Sequence, residues 1–556
     1  MANKKLFANG SSKLYDSTAV GTQSLKIPDA NAINEAGGLA YAYEAEHKLA
    51  QFVSTGCFSN TFYVSKESQL DNVIGLAKLA TPKFLAQCAL YGRETAYMKD
   101  MPALLTAILM NRDKDLFAKV FPKVADYGRT LRTFVQIVRS GKTGRKSFGS
   151  MPKRLIKEWF ATRTNDEIFR QSIGNDPSLC DIIKMVHPVP RDAEQEALFE
   201  YLIGGKSKVE NLPVLVKEYE AYKKNGGTLP NVPFDMLSSL SLSEGEWKVL
   251  AKKSNFNQAR AKLNTFERHG ALKDARVVTY LAKKLSDPNE VAKVKVMPYE
   301  LLAAYRAIEG NINIPREIKI AVQTALEHSL TNIPAMSGKI FVFVDVSGSM
   351  NDPVTGDQEE DKSKVHGKQH VTTVITCRDV AALFAAGIAK TSENVEIIPF
   401  SDRLYPDYKM NPNDSLTKIA QGLSSLESGA TNCVLPLREL NRRNENGSLC
   451  VFLSDYESHL PSDLNAVLHP MVYRAGRRPT KPTEVMSEWE TFRQRNPSAK
   501  MACVDLRPNL STQAINRADI LNVGGINSAV FKMIDAFHHG EFGGDYWLEE
   551  IKKIEV

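Results

Sequence analysis

A chain of 556 residues with 43% hydrophobic content is long enough to bury two or more large cores. With 71 basic and 64 acidic side chains it is only mildly basic, which permits nucleic-acid binding without establishing it. Seven cysteines lie far apart with no Cys-x-x-Cys pair, which argues against a disulfide framework or zinc ribbon and for reduced thiols in the cytoplasm. No apolar run approaches the roughly 18 to 20 residues that span a bilayer, and the first residues lack a secretory apolar segment, so no membrane partner is expected.

Residues 1–37 are polar, with turn signals at Asn9-Gly10, Pro28-Asp29 and Gly37-Gly38, and read as an N-terminal arm. From 38 to 335 the text is helical. Apolar stripes at helical spacing predict helices over Ala40–Val53, Glu67–Leu79, Pro82 onward, Met101 onward, Val124–Val138, Pro152–Ala161 and Leu179–Val186. Further helices are expected over Ala193–Ile203, Val214–Tyr222, Glu244–Lys252, Asn257–Phe266, Ala275–Leu285, Pro298–Ile308 and Arg316–His328, with almost no strand before 339. Many short helices with short loops pack best as stacked antiparallel pairs of the HEAT type, although no clean repeat is visible and an irregular bundle is the plainer alternative.

Beyond Ala335-Met336-Ser337-Gly338 strands and helices alternate. Strands are expected at Ile340–Val344, Val395–Pro399, Cys450–Leu453, Met501–Val504 and Ile520–Val523, with helices at Val380–Ala389, Leu416–Leu426, Val434–Asn441 and Ala529–Phe537. That alternation predicts a doubly wound α/β domain over 336–540, interrupted by polar insertions at 351–372 and 474–484. The tail, 541–556, places Trp547, Leu548, Ile551 and Ile554 on one helical face and is expected to dock.

Three strand-end loops carry chemistry. The first, Asp345-Val346-Ser347-Gly348-Ser349, follows the apolar run Ile340–Val344; the second offers Thr431; the third follows Leu449–Leu453 with Ser454 and Asp455. Carboxylates and hydroxyls are hard ligands, suited to Mg²⁺ first and to Mn²⁺ or Ca²⁺ as alternatives. The same residues also cap helices with no metal involved. Asp-x-Ser-x-Ser, then Thr, then Asp in α/β context resembles the metal-ion-dependent adhesion site of the von Willebrand factor A family. The resemblance implies Ser347, Ser349 and Thr431 as direct metal ligands, with Asp345 and Asp455 acting largely through water.

A second feature is Arg139–Lys157, with seven Lys or Arg and no acid, and with Phe148 and Trp159 interleaved or adjacent. One-signed charge attracts phosphate and aromatics can stack on unpaired bases, but a solvated loop leading into a helix with a core Trp is an equal reading. Gly141-Lys142-Thr143 and Gly205-Lys206-Ser207 lack the earlier glycine and the preceding strand of a phosphate loop. His366 and His370 flank Gly367 in a polar insertion without a zinc pattern.

A helical array joined directly to an A domain resembles the Ro autoantigen family, with its TROVE module and bacterial members. The carrying residues are GGLAYA at 37–42, GRETAYMKDMPALL at 92–105, GRKSFGSMPKRLIKEWF at 144–160, and FVDVSGSM with Thr431 and Asp455. The resemblance implies a closed ring of HEAT-like pairs followed by the A domain. It implies a scaffold that is not an enzyme, binding small noncoding Y RNA on the outer surface and the single-stranded 3′ ends of misfolded RNA in the central hole. RNA quality control beside an exoribonuclease is the implied role. The family's basic surface then maps onto Lys142, Arg145, Lys146, Lys153, Arg154 and Lys157, with Arg129, Arg132 and His187 at its edge. The alternative is a metal-dependent interaction module that captures an acidic protein ligand, its basic patch incidental. A phosphatase or nuclease built on the 345 loop is disfavoured, because Ser347 stands where such an enzyme needs a second carboxylate.

Overall fold

The computed structural model describes residues 27–556 apart from 35, 56–65, 175, 206–208, 295, 297, 331–332, 355–374, 412–413, 459–480, 508–509 and 526–528. Most of the arm, most of both polar insertions, Cys57, Lys206, Ser207, His366, Gly367 and His370 lie outside the described residues.

The helical half follows its apolar stripes closely. Helices run over Lys66–Leu79, Pro82–Glu94, Asp100–Arg112, Ser150–Ala161, Leu179–Val186, Ala193–Leu202, Val214–Asn225 and Ala275–Ser286. Capping sets their starts: Ser178 accepts from the Asp181 amide while Asp181 returns a bond to the Ser178 amide, and Ser243 with Glu246 repeats the pattern. The run expected over Val124–Val138 is instead two helices, Lys114–Val124 and Gly128–Ser140, because Gln171 Oε1 takes the Gly128 amide at 2.6 Å and fixes a new start. Asn257–Phe266 likewise breaks at Lys262 into Phe256–Ala261 and Leu263–Arg268.

The largest departure is at the beginning. The stripe over Ala40–Val53 predicts one helix, but Leu39–Ala42 is a strand and the helix is Ala45–Thr55. The strand forms because two others pair with it. Ala32–Ile33 (β1) lies antiparallel to Leu39–Ala42 (β2), and β2 lies antiparallel to Ser511–Thr512, far along the chain. Tertiary pairing outweighs local propensity here. The described part of the arm is therefore packed: the Ala30 amide donates to the Lys481 carbonyl at 3.0 Å.

The α/β half holds Ile340–Asp345 (β3), Val395–Phe400 (β4), Leu449–Ser454 (β5) and Lys500–Asp505 (β6). Ser511–Thr512 is β7 and Ile520–Gly524 is β8. Five strands form one sheet in the order β4-β3-β5-β6-β8, every pair parallel. Every residue of β3 is buried. Val342 and Val344 face a core shared with the Cys377–Thr391 helix, and Phe341 and Phe343 face a second core with Leu437, Trp489 and Phe492. An unbroken apolar run is what a strand covered on both faces requires. The Glu484–Arg495 helix, which supplies Trp489, lies outside the elements expected from the sequence.

The A-type domain closes the helical array. The last helices, Pro298–Glu309 and Arg316–Leu330, pack on Cys377–Thr391 and Leu416–Ser424, while the first helix, Ala45–Thr55, packs on β8. The core cluster runs without interruption from Leu49 through the helices into Val342. Arg306 bridges the late joint with both guanidinium nitrogens on Asp379, at 2.7 and 2.6 Å. The tail docks as expected, but on the early helices: Trp547 Nε1 donates to Tyr91 Oη at 3.1 Å, and Gln87 Nε2 to the Ile554 carbonyl at 3.1 Å. Six described cysteines are free and five of them are buried. Among the described residues no helix is long and apolar enough to cross a membrane.

Candidate functional site

The three loops meet at the carboxyl ends of β3 and β5. The chain leaves β3 for β4 on one side and returns to β5 on the other, so the gap between β3 and β5 is the switch point where open α/β sheets take ligands. Asp345 ends β3. Its Oδ1 accepts the Ser347 amide at 2.9 Å and its Oδ2 accepts the Ser454 hydroxyl at 2.5 Å. Ser347 Oγ and Ser349 Oγ lie 3.3 Å apart, and Ser349 also bonds Asp455. The Gly348 amide donates to the Gly429 carbonyl at 2.9 Å, which lays the 424–433 loop over the first; Thr431, two residues on, is 1% exposed. The structure thus brings Asp345, Ser347, Ser349 and Asp455 together with Thr431 in the adjoining loop.

Burial, and then the charge of Asp455, pushes the Asp345 carboxyl up. Burial also raises Asp455, with the Ser349 hydroxyl and the Glu457 amide opposing it. Two facing carboxylates shielded from solvent repel one another. A hard cation between them removes that conflict, and the hydroxyls supply neutral oxygen ligands, so these residues fit a divalent ion. Among the described residues no group of three His, Cys, Asp or Glu side chains is placed to hold a metal ion, so such an ion must lean on hydroxyls.

The basic residues are arranged differently. Helix Gly128–Ser140 ends on Gly141 in the left-handed conformation, φ 78°, and a loop leads to Ser150–Ala161. The loop is pinned by Asn111 Nδ2 donating to the Thr143 carbonyl at 2.8 Å. Arg129, Lys142, Lys146, Lys153, Arg154 and His187 are exposed; Arg132, Arg145 and Lys157 are half-buried. Arg154 has a loose partner in Glu158 at 3.7 Å. The other seven Lys and Arg have no carboxylate within ion-pairing distance among the described residues. His187 closes the Leu179–Val186 helix through its backbone, φ 49°, which leaves its ring outside. That helix packs against both of the others, so the nine residues lie on three touching helices and the loop that joins the first two.

The aromatics do not serve this surface as base platforms. Trp159 is 4% exposed, its Nε1 donates to the Ala125 carbonyl at 2.7 Å, and the Arg163 guanidinium lies 3.9 Å from its ring centroid. Phe148 stacks on buried Phe134 with centroids 6.4 Å apart. Both are core or core-facing.

Residues 339–463 match the family model of the Ro60 vWA domain. RNA-binding protein RO60 of Deinococcus radiodurans is 20% identical, over 93% of this chain and 97% of its own length. RNA-binding protein RO60 of Caenorhabditis elegans is 20% identical over 78% of this chain and 81% of its own. The crystal structure of the Deinococcus radiodurans RO (RSR) protein superposes with a TM-score of 0.58 at 17% identity, covering 90% of this chain and 100% of that one. Residues 339–463 thus match the Ro60 vWA domain, and the chain shares the fold of the Deinococcus radiodurans RO protein over most of its length.

Several site residues escape a motif search. Ser454 reads in the sequence only as a neighbour of Asp455, yet it is the hydroxyl that holds Asp345 Oδ2. Arg378, 4% exposed, donates to Ser428 Oγ at 2.8 Å and to the Leu426 carbonyl, which braces the Thr431 loop from below. Arg507 and Asp352, both buried, pair at 3.1 Å beside Asp455. Only Ser454 carries a signal, a hydroxyl at a strand end; the rest depend on distant contacts.

Proposed function

We propose that this chain is an RNA-binding scaffold of the Ro type. The observation that carries the reading is the mostly exposed, acid-poor surface of Arg129, Lys142, Arg145, Lys146, Lys153, Arg154 and Lys157 on two helices and the loop that joins them. Cations without carboxylate partners are free to replace the counterions of a phosphate backbone. The names of the two RO60 relatives point the same way. By resemblance to its family, the ligands are a small noncoding Y RNA outside the ring and single-stranded 3′ ends of misfolded RNA in the hole. The role is RNA quality control in the cytoplasm beside an exoribonuclease, without cleavage by this chain. The test is binding of a structured RNA with a single-stranded end across a salt series. Affinity should fall steeply with salt, and incubation with Mg²⁺ should leave the RNA intact. Salt-independent binding, or cleavage lost in Asp345→Ala, would overturn the reading.

The convergence of Asp345, Ser347, Ser349, Thr431 and Asp455 supports a second activity on the same chain. Ser347, Ser349 and Thr431 would hold Mg²⁺, Mn²⁺ or Ca²⁺ directly, and Asp345 and Asp455 through water. A bound ion with neutral hydroxyl ligands keeps much of its charge and offers a position to the carboxylate of an acidic protein partner. Alone, that would make the chain an interaction module with an incidental basic patch. RNA affinity in the first test separates the two.

A further inference from the structure

The loop that carries Asp455 is held from the other end of the chain. Tyr456 follows Asp455 with φ 57°, a backbone state that a bulky side chain rarely adopts. Its orientation decides where the Asp455 carboxylate points. Ser454 Oγ accepts the Tyr456 amide at 3.0 Å, and Gln513 Nε2 reaches its carbonyl at 3.4 Å. Asn34, 424 residues away from Ser458, donates from Nδ2 to the Ser458 carbonyl at 2.9 Å and to the Tyr456 carbonyl at 3.4 Å. Its Oδ1 accepts the Gly38 amide at 2.6 Å, which ties Asn34 to Gly38. A Cβ on Gly38 would collide with the Ser458 carbonyl, so Gly38 is seated directly on the loop. The Ala36 amide donates to Glu457 Oε2 at 3.1 Å. Ser458 Oγ then accepts the Cys433 amide at 3.2 Å, carrying the contact on to the Thr431 loop.

We propose that Asn34 and residues 36–38 form a strap that sets the metal loops, making Asn34 and Glu457 positioning residues for a divalent cation at Asp345, Ser347, Ser349, Thr431 and Asp455. The inference rests on the metal reading of that site. A strained backbone persists only where its surroundings over-determine it, and here the strap supplies much of that determination. Linkage makes the effect mutual: if the strap favours the cation, the cation favours the docked strap. The strap runs on into β2 and the first helix, so cation occupancy is communicated to the start of the helical ring.

The experiment titrates Mg²⁺ alone into the full chain by calorimetry, for wild type, Asn34→Ala and Glu457→Ala, with amide hydrogen exchange over 34–42. Removing hydrogen bonds to the loop should weaken Mg²⁺ binding by roughly five- to tenfold in each variant. Mg²⁺ should slow exchange at the Ala36 and Gly38 amides in wild type. If Asn34→Ala fails to fold, Glu457→Ala, which removes the acceptor of the Ala36 amide and leaves the bonds of Asn34 in place, decides. Wild-type binding with both variants within about twofold, and exchange unmoved by Mg²⁺, overturns the strap while leaving the metal site. No Mg²⁺ binding by wild type overturns the metal reading and the strap with it.

Discussion

The strand-end loops around Asp345, Thr431 and Asp455 and the basic surface both stand out in the sequence, and they differ in what holds their residues in place. Asp345, Ser347, Ser349, Thr431 and Asp455 are at most 3% exposed, and parallel strand ends bring them to one point. The basic residues are mostly exposed and are related by helix faces and one loop, with no common focus. A buried constellation acts through geometry, so one misplaced oxygen matters. An exposed cationic surface acts through summed charge, so its members are largely interchangeable. The difference sets how each should break.

The largest effect is expected at the basic surface. Replacing Lys142, Arg145 and Lys146 together with alanine should weaken RNA binding by about two orders of magnitude near physiological salt. It should also flatten the slope of log affinity against log salt by about 0.7 to 0.9 for each phosphate that is no longer neutralised. All three side chains lie off the core, so the melting curve should stay in place. Filter binding across a salt series reads both quantities; unchanged affinity and slope would move the RNA elsewhere.

Asp345→Ala should do the reverse. At Mg²⁺ one hundred times its dissociation constant, a single site stabilises the fold by about 2.7 kcal/mol, and the variant should lose that increment. RNA affinity should not change. Melting curves with and without Mg²⁺, run beside the RNA assay, check it. Loss of RNA binding in a well-folded Asp345→Ala would merge the two regions into one site.

The joint between them gives the next effect. Burial pushes the Asp379 carboxyl up, but bonds from Arg306 and the Thr376 amide, Arg306's charge and the Ser424 hydroxyl outweigh it and hold it below the ordinary range. A depressed carboxyl contributes stability that is fully present above its unfolded value, about 3.9, and lost as pH falls through the folded value. Arg306→Ala removes the largest of those holds. It should cost about 2 kcal/mol, less than a fully buried pair because the Arg306 side chain is 29% exposed. It should also move acid unfolding, followed by circular dichroism, to higher pH. An unmoved acid midpoint would mean that the joint does not depend on this pair.

What the sequence reveals follows the same division. The A-type sheet is readable because its strands are unbroken apolar runs such as Ile340–Val344, and a strand end fixes where the next side chains go. Leu39–Ala42 is not, since it is a strand by virtue of its pairing with Ala32–Ile33 and with distant Ser511–Thr512. The Lys114–Val124 helix has a local signal that is easily missed: Phe117, Val120, Phe121 and Val124 form a helical stripe, obscured by Pro122 within it. Asn34 carries no local signal and Gly38 reads only as part of a turn, because what they hold lies in Tyr456 and Ser458. Local pattern reports elements; contacts across several hundred residues decide how a site is braced.

The smallest effect tests the boundary between core and surface. Trp159 stands within two residues of Lys157 and, from sequence, serves equally well as a base platform or a core anchor. Its burial, its bond to the Ala125 carbonyl and the Arg163 guanidinium over its face favour the anchor. Trp159→Phe keeps an aromatic ring and most of the packing but removes the indole donor, leaving the Ala125 carbonyl short of a partner. The expected cost is about 1 kcal/mol of stability, read from denaturant midpoints. RNA affinity should stay within about twofold, because stacking on a base, worth roughly 1 to 3 kcal/mol, needs an open ring face that Trp159 does not offer. A Trp159→Phe chain of wild-type stability that binds RNA tenfold more weakly would place this residue on the RNA side of the boundary. The helix Ser150–Ala161 would then have to turn that face outward when RNA binds.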